Sequence, residues 1–151
     1  MPNWCNNILT VSEPSAELVK YLQEEGFSFD KIKPMPPELK EGDGWYDWAV
    51  ENWGTKWDLN DNPFLFDSIS ENEISFRFDT AWSPPMGVIE ALSEKFYKDH
   101  FVLQYLEMGM SFCGEASFSD GSVVDNQSGE EKEVAKFAKE IFGYEDQEDE
   151  E

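Results

Sequence analysis

The segment Glu73-Ile-Ser-Phe-Arg-Phe-Asp-Thr-Ala81 alternates apolar and polar residues. This period of two predicts a β-strand that buries one face and exposes the other. Directly after it, Trp82-Ser-Pro-Pro85 is typical of a helix start, with Ser83 as the N-cap and a proline at the first helical position. Apolar residues then recur at helical spacing, so we expect a helix whose buried stripe is Val88, Ile89, Leu92 and Phe96.

The sequence before Glu73 begins with a pattern that predicts a strand, a helix and a second strand. Residues 4–11 are typical of a strand, and the helix is expected to begin near Ser12-Glu-Pro14 and to end at Gly26. Phe27 to Lys33 alternates and is interpreted as the second core strand, which ends at Pro34-Met-Pro-Pro37 because proline cannot donate to a ladder.

A long insertion, residues 34–72, follows the second predicted strand. It is expected to contain a short helix from Trp45 to Asn52, stopped by Gly54. Phe64 to Ser70 is predicted to pair with the strand that begins at Glu73.

The chain after the second helix predicts two more long strands and a terminal helix. The strands are Phe101 to Met108 and Ser111 to Ser119, with a short extended piece at Ser122 to Val124. Residues 129–142 predict an amphipathic helix, and residues 144–151 are expected to form a disordered acidic tail.

This order of elements predicts an α+β fold of the ferredoxin-like kind. We expect a split β-α-β antiparallel sheet with helices on one face, a long insertion between the second and third core strands, and a C-terminal helix. Residues 1–143 are expected to form a single domain. Because the first and third core strands are antiparallel neighbours in this topology, Trp4 and Asn6 should lie near Thr80 and Trp82.

The formal charge of −22 restricts the class of partner. Residues 125–151 hold 11 acids against 3 lysines, and residues 1–124 hold 22 acids against 8 bases. A surface with this much negative charge repels nucleic-acid phosphates and anionic lipids. We therefore expect neither direct nucleic-acid binding nor membrane binding. The expected partners are basic proteins or small molecules, although solubility alone also explains such a charge.

The residues that could act in catalysis or bind a metal do not form a recognised site. His100 has no nucleophile motif beside it, and Cys5 and Cys113 lack metal-ligand spacing, so both thiols are expected to be free and buried. Asp58-Leu-Asn-Asp-Asn62 resembles a calcium loop only at its start, because Pro63 stands where the loop needs glycine. With no phosphate-binding loop either, we expect no cofactor, no metal and no catalytic residue. The chain also starts without a signal peptide, which favours a cytoplasmic location.

Tryptophan-rich segments are the best candidates for a binding site. Trp53-Gly-Thr-Lys-Trp-Asp58 combines aromatic and polar groups, and so does Asp79-Thr-Ala-Trp-Ser-Pro-Pro85. An indole offers a large apolar face and one N–H donor, which suits recognition. The predicted binding residues are Trp4, Asn6, Trp53, Thr55, Lys56, Trp57, Asp58, Thr80, Trp82 and Ser83.

Some of these residues also have a purely structural interpretation. Lys56 could form a cation–π contact or a salt bridge to Asp58 that only orders the loop. Three methionines outside the predicted site are expected to be core or packing residues: Met86, Met108 and Met110.

Five segments together resemble the YubB-type ferredoxin-like domain family, which consists of small uncharacterised proteins of phages and plasmids. They are Met1-Pro-Asn-Trp-Cys-Asn6, Pro34-Met-Pro with Glu38-Leu39, Trp53 to Asp58, Phe78 to Pro85, and Gly114 within Phe-Cys-Gly-Glu. The resemblance is collinear over residues 1–124 and implies a ferredoxin-like fold. It implies little about activity, because fold alone does not fix function.

Two functional hypotheses follow. In the first, the chain is a non-enzymatic phage or plasmid accessory protein that binds and inhibits a host protein with a basic surface, such as a defence factor, through its acidic surface and tryptophan-rich site. In the second, it is a small-molecule-binding domain or small enzyme that uses a pocket around Trp57 and Trp82.

Overall fold

One six-stranded antiparallel sheet organises the chain in the computed structural model, which describes residues 3–59, 61–65, 68–70 and 72–144. In chain order the strands are β1 Trp4–Ser12, β2 Ile69–Ser70, β3 Glu73–Ala81, β4 His100–Glu107, β5 Phe112–Ser119 and β6 Ser122–Ser128. The helices are α1 Ala16–Glu25, α2 Phe29–Ile32, α3 Pro37–Lys40, α4 Trp45–Asn52, α5 Met86–Lys95 and α6 Glu131–Glu140. The strand order across the sheet is β2-β3-β1-β4-β5-β6.

The centre of the sheet is a split β-α-β unit. Strands β3 and β4 are joined by α5, and β1 lies between them, antiparallel to both. This is the ferredoxin-like arrangement predicted from the sequence, and it confirms the α+β fold.

One face of the sheet carries the main core. Leu9, Phe76 and Leu103 occupy paired positions on β1, β3 and β4, and all three are buried. Leu18 and Leu22 of α1 and the apolar stripe of α5 belong to the same cluster. The alternation of buried and exposed residues along β3 is therefore the direct consequence of this single covered face.

The predicted second strand is wrong, because Phe29–Ile32 is a helical turn. The reason is the carboxylate of Asp58, which accepts hydrogen bonds from the N–H groups of Phe29 at 3.0 Å and Asp30 at 3.1 Å. These bonds satisfy the donors at the start of a helix. Phe29 and Ile32 both reach the core at a spacing of three, which the alternation of Phe27 and Phe29 concealed.

The chain between α1 and β3 contains more helix than the sequence indicated. Helix α4 has the predicted bounds, whereas α3, which has a proline at its first turn, was not predicted. Of the predicted strand Phe64 to Ser70, Ile69 and Ser70 pair with β3 as expected. Phe66 and Asp67 lie outside the described residues.

Helix α6 lies on the face of the sheet opposite to the main core. Val134 and Ala138 pack with Leu106 and Cys113, which project from the side of the sheet that α1 and α5 leave open. The helix is two residues shorter at each end than predicted. Of the expected acidic tail, Tyr144 is described and donates a hydrogen bond to Asn6 Oδ1, while residues 145–151 lie outside the described residues.

Both cysteines are free and buried, as predicted. Burial raises the pKa of the Cys5 thiol to about 12, although a hydrogen bond with Thr80 opposes the shift. Such a thiol stays protonated at neutral pH and is a poor nucleophile. In the part of the chain that the structure describes, no helix is long and apolar enough to cross a membrane.

Candidate binding surface at one end of the sheet

The two predicted tryptophan segments meet at the end of the sheet where β1 begins and β3 ends. Trp4 pairs with Ala81, and the Trp82 N–H donates to the Asn3 carbonyl at 2.8 Å. Trp4 and Trp82 therefore leave neighbouring strands at the same end. This confirms the proximity predicted from antiparallel pairing.

The loop that carries Trp57 is fastened to the same end. The Thr55 hydroxyl donates to the Ala81 carbonyl at 2.7 Å, and the Ser83 hydroxyl donates to the Gly54 carbonyl at 2.5 Å. The Gly87 N–H also donates to the Trp53 carbonyl, at 3.1 Å. Three hydrogen bonds thus hold the loop between α4 and β2 against the end of β3 and the start of α5.

Ser83 therefore hydrogen-bonds to the loop at Gly54 and is not the N-cap of α5 that the sequence predicted. Helix α5 begins at Met86 and has Pro85 at its N-cap position, without a side-chain cap. The close approach of the loop explains Gly87, because a Cβ there would lie 2.8 Å from the carbonyl carbon of Asn52.

Four aromatic side chains surround this end of the sheet, and we call them the aromatic patch: Trp4, Tyr46, Trp57 and Trp82. Trp4, Tyr46 and Trp82 are 41%, 46% and 48% exposed. The rings of Trp4 and Trp57 are 6.4 Å apart between centroids and tilted by 58°. Trp82 has a φ of 73°, an uncommon conformation for a bulky residue. Partly exposed aromatics on a fixed backbone are typical of binding surfaces.

Lys56 lies inside the aromatic patch. Its ammonium nitrogen is 4.8 Å from the Trp57 ring centroid and 5.7 Å from the Tyr46 ring centroid. Of the two contacts considered for Lys56, the cation–π contact is the one formed. The salt bridge to Asp58 is not formed, because the Asp58 carboxylate accepts from Ser28, Phe29, Asp30 and Leu59.

Trp53 and Asp58, both predicted binding residues, have clear structural roles. Trp53 is buried among Phe29 and Trp48, and its indole N–H donates to the Lys33 carbonyl at 2.9 Å. Asp58 caps α2 as described above. These contacts fix the base of the loop on which the aromatic patch stands.

Asn6 and Thr80 lie on opposite faces of the sheet. Thr80 is buried, donates to the Ser83 carbonyl at 2.7 Å, and accepts from the side-chain amide of Asn7 at 2.9 Å. Asn6 is on the face that α6 covers and donates to Asp79 Oδ1 at 2.7 Å. Thr80 therefore supports the turn before α5, and Asn6 fixes Asp79.

The prediction that Met108 and Met110 are core or packing residues is wrong. They are 54% and 65% exposed on the turn between β4 and β5. The buried carboxylate of Glu107 accepts the N–H groups of Gly109 at 2.6 Å and Met110 at 2.9 Å, which folds this turn. The Asn3 side chain packs on Gly109, and Glu107 pairs with Cys5, so this turn lies at the same end of the sheet as the aromatic patch. The signal was a Met-Gly-Met sequence at a predicted turn, because turn side chains project into solvent.

A cavity of about 380 Å³ opens beside Trp4. It lies between the end of β3 and the segment that precedes β2, and its lining residues are Trp4, Leu59, Asp61, Asn62, Pro63, Phe78 and Asp79. Neither Trp57 nor Trp82 lines this cavity, so it is displaced from the pocket that the second hypothesis expected.

The described ranges contain no group of three or more His, Cys, Asp or Glu side chains arranged to hold a metal ion. His100, the single histidine of the chain, is an exposed residue at the start of β4. It lies at the end of β4 opposite to Glu107, the residue that pairs with β1 near the aromatic patch.

Comparison with known proteins gives a family. A family model described as a ferredoxin-like domain in Api92-like protein matches residues 52–151. The YubB-type resemblance ended at residue 124, whereas this model continues through α6. The crystal structure of protein Api92 from Yersinia pseudotuberculosis is similar, with a TM-score of 0.46 and 21% sequence identity over 56% of this chain and 30% of the Api92 chain. No curated protein matches significantly.

Proposed function

The chain belongs to the family of ferredoxin-like domains in Api92-like proteins, and we propose that it is a non-enzymatic binding protein whose aromatic patch docks on a basic surface of another protein. The observation that carries the proposal is the exposure of Trp4, Tyr46 and Trp82 at one end of the sheet. Aromatic side chains of this kind supply most of the binding energy at protein interfaces.

The backbone under the aromatic patch favours this function. Hydrogen bonds from Thr55, Ser83 and Gly87 fix the loop before binding. A fixed surface loses less conformational entropy when it binds, so more of its contact energy contributes to affinity. Met108 and Met110 add two exposed apolar side chains at the same end of the sheet.

The charge of the chain favours a basic partner. The net charge of −22 creates a negative potential that accelerates encounter with positive surfaces. Tyr144 donates a hydrogen bond to Asn6, whose side-chain amide in turn donates to Asp79. Six of the seven residues that follow Tyr144 in the sequence are acidic and add to the net negative charge. Nucleic acids and anionic membranes would be repelled.

We place this partner in a bacterial host. The YubB-type resemblance suggests a phage or plasmid accessory protein in the host cytoplasm, and such a protein gains by occupying and inhibiting a host factor, for example one that acts in defence. This part of the proposal depends on the resemblance and on charge complementarity.

Affinity capture from host lysate tests the proposal. The wild-type chain and a Tyr97→Ala control should recover the same basic protein, because Tyr97 is 60% exposed and lies outside the aromatic patch. Trp82→Ala and Trp4→Ala should lose it while keeping the wild-type circular dichroism spectrum. If all four proteins recovered equal amounts of the partner, the aromatic patch would not be its binding surface.

A small-molecule-binding function is the second candidate, and the cavity beside Trp4 favours it. A cavity of about 380 Å³ lies at the lower end of the range for ligand pockets. Titration of intrinsic tryptophan fluorescence with nucleotides and metabolites tests this function. Saturable quenching that Trp4→Phe abolishes, combined with no protein partner in the capture experiment, would favour the small-molecule function over protein binding.

A further inference from the structure

The cavity beside Trp4 combines an aromatic wall with two carboxylates. Phe78, which is nearly buried, and the partly exposed Trp4 supply aromatic surface. Asp61 and Asp79 also line the cavity. An aromatic face next to carboxylates is complementary to an organic cation, because the ring and the carboxylate both attract positive charge.

Neither carboxylate is neutralised within the described part of the chain, where no lysine or arginine lies within 4 Å of Asp61 or Asp79. Asp79 accepts one hydrogen bond on Oδ1, from Asn6, and its Oδ2 has no partner among the same residues. Lys56, which precedes Trp57, and Arg77, two residues before Asp79 on β3, contact other groups: Lys56 contacts the Trp57 and Tyr46 rings, and Arg77 contacts Phe142.

The walls of the cavity are fixed by their own hydrogen bonds. Asn62 Oδ1 accepts the N–H of Phe27 at 2.9 Å and the N–H of Phe64 at 3.0 Å, which holds one wall against the body of the protein. Asn6 holds Asp79 on the other wall. A preformed site of this kind binds a group without reorganising the loop.

We propose that this cavity binds the guanidinium group of an arginine side chain. Guanidinium is planar, stacks on indole rings, is weakly hydrated, and offers several donors to carboxylates, whereas the lysine ammonium is compact and strongly hydrated. The source of the arginine, a basic partner protein, rests on the proposed function. The cavity is then the specificity site beside the aromatic patch.

Nuclear magnetic resonance titration with small probes tests the proposal on the full chain. The probe is N-acetyl-arginine amide, and N-acetyl-citrulline amide is its neutral control of nearly the same shape. The indole N–H resonance of Trp4, assigned by its loss in Trp4→Phe, should shift saturably with the arginine probe and remain in place with the citrulline probe. N-acetyl-lysine amide should bind more weakly than the arginine probe.

Carboxylate variants separate the cavity from the general charge of the chain. Asp61→Asn and Asp79→Asn should each weaken arginine binding about threefold to fivefold, as expected for a partly exposed ion pair. The matched control is Asp120→Asn, which removes one charge at the turn between β5 and β6, at the other end of the sheet. It should bind like wild type.

Three results would overturn the arginine site: no saturable shift of the Trp4 resonance, equal binding of citrulline or lysine, or an equal loss in Asp120→Asn. The site and the proposed function fail separately. Arginine binding in the cavity without capture of any basic protein would contradict the proposed function alone. Capture that depends on Trp82 but not on Asp61 or Asp79 would contradict the arginine site alone.

Discussion

The Trp4 and Trp57 rings lie 6.4 Å apart although one belongs to β1 and the other to the loop before β2. The contact joins the start of the central strand to the loop that Thr55 fastens to Ala81. Each indole therefore limits the movement of the other, and both stay partly accessible at the end of the sheet. The two indoles thus present a fixed, partly exposed surface to a binding partner.

Asp58 is expected to act on stability and not on binding. Asp58→Ala removes hydrogen bonds to the N–H groups of Phe29, Asp30 and Leu59, so the free energy of unfolding should fall by about 1 to 2 kcal/mol, as for a lost helix cap. Urea unfolding measures the change, and Asp43→Ala, in an exposed loop, is the control. If Asp58→Ala kept the wild-type free energy of unfolding but lost partner binding, Asp58 would be a binding residue after all.

Gly114 is required because the Tyr105 side chain crosses it. A Cβ at Gly114 would lie 2.5 Å from Tyr105 Cζ and 2.8 Å from the Asn126 carbonyl oxygen. Gly114→Ala should therefore lower the free energy of unfolding by about 1 to 3 kcal/mol, the usual cost of overpacking. Gly129→Ala is the control, because its nearest neighbour would be at 3.8 Å. Equal unfolding curves for the two variants would contradict this packing.

Tyr105 should make stability depend on pH in the alkaline range. Burial raises the pKa of Tyr105, and its 2.6 Å hydrogen bond to Asp125 raises it further. Because the folded-state pKa is the higher one, this contribution is fully present below the unfolded value of about 10 and is lost as the pH rises above it.

Tyr105→Phe isolates that contribution. Unfolding free energies measured at several pH values from about 9 upward should fall more steeply for wild type than for the variant. Parallel slopes for the two proteins would show that Tyr105 is not protected in the folded state.

Deletion of Glu145 to Glu151 should leave the melting temperature nearly unchanged. Six of these seven residues are acidic and none is apolar, so ordering them would cost backbone entropy of about 1 to 2 kcal/mol per residue with little burial in return. Differential scanning calorimetry measures the effect. A drop of about 5 °C or more, over 1 kcal/mol for a domain of this size, would mean that the segment docks on the body.

The fold was predictable where a local pattern coincided with the tertiary environment. The alternation in β3 and the apolar stripe of α5 reflect the same buried face, so both elements were predicted correctly. The segment from Phe27 to Lys33 was not, because the Asp58 carboxylate that stabilises its helical turn lies far away in sequence. The alternation of apolar and polar residues in a short segment does not show that a distant carboxylate will bind its N–H groups.

Prediction of the candidate site had the same limit. Antiparallel pairing was enough to bring Trp4 next to Trp82, but residue type could not separate buried Trp53 from the exposed indoles. The hydrogen bonds that make Asp58 and Ser83 structural depend on long-range contacts. Met108 and Met110 were missed because methionine is usually a packing residue.

The dissociation rate of the captured partner reports whether the aromatic patch anchors the complex. In surface plasmon resonance, Trp82→Ala should dissociate faster than wild type by a factor that corresponds to about 2 kcal/mol or more, as for an interface hot spot. Charge reversals around the aromatic patch, and added salt, should mainly slow association. Tyr97→Ala should keep the wild-type dissociation rate. If Trp82→Ala, still folded, releases the partner no faster than Tyr97→Ala does, the aromatic patch is not the anchor of the complex.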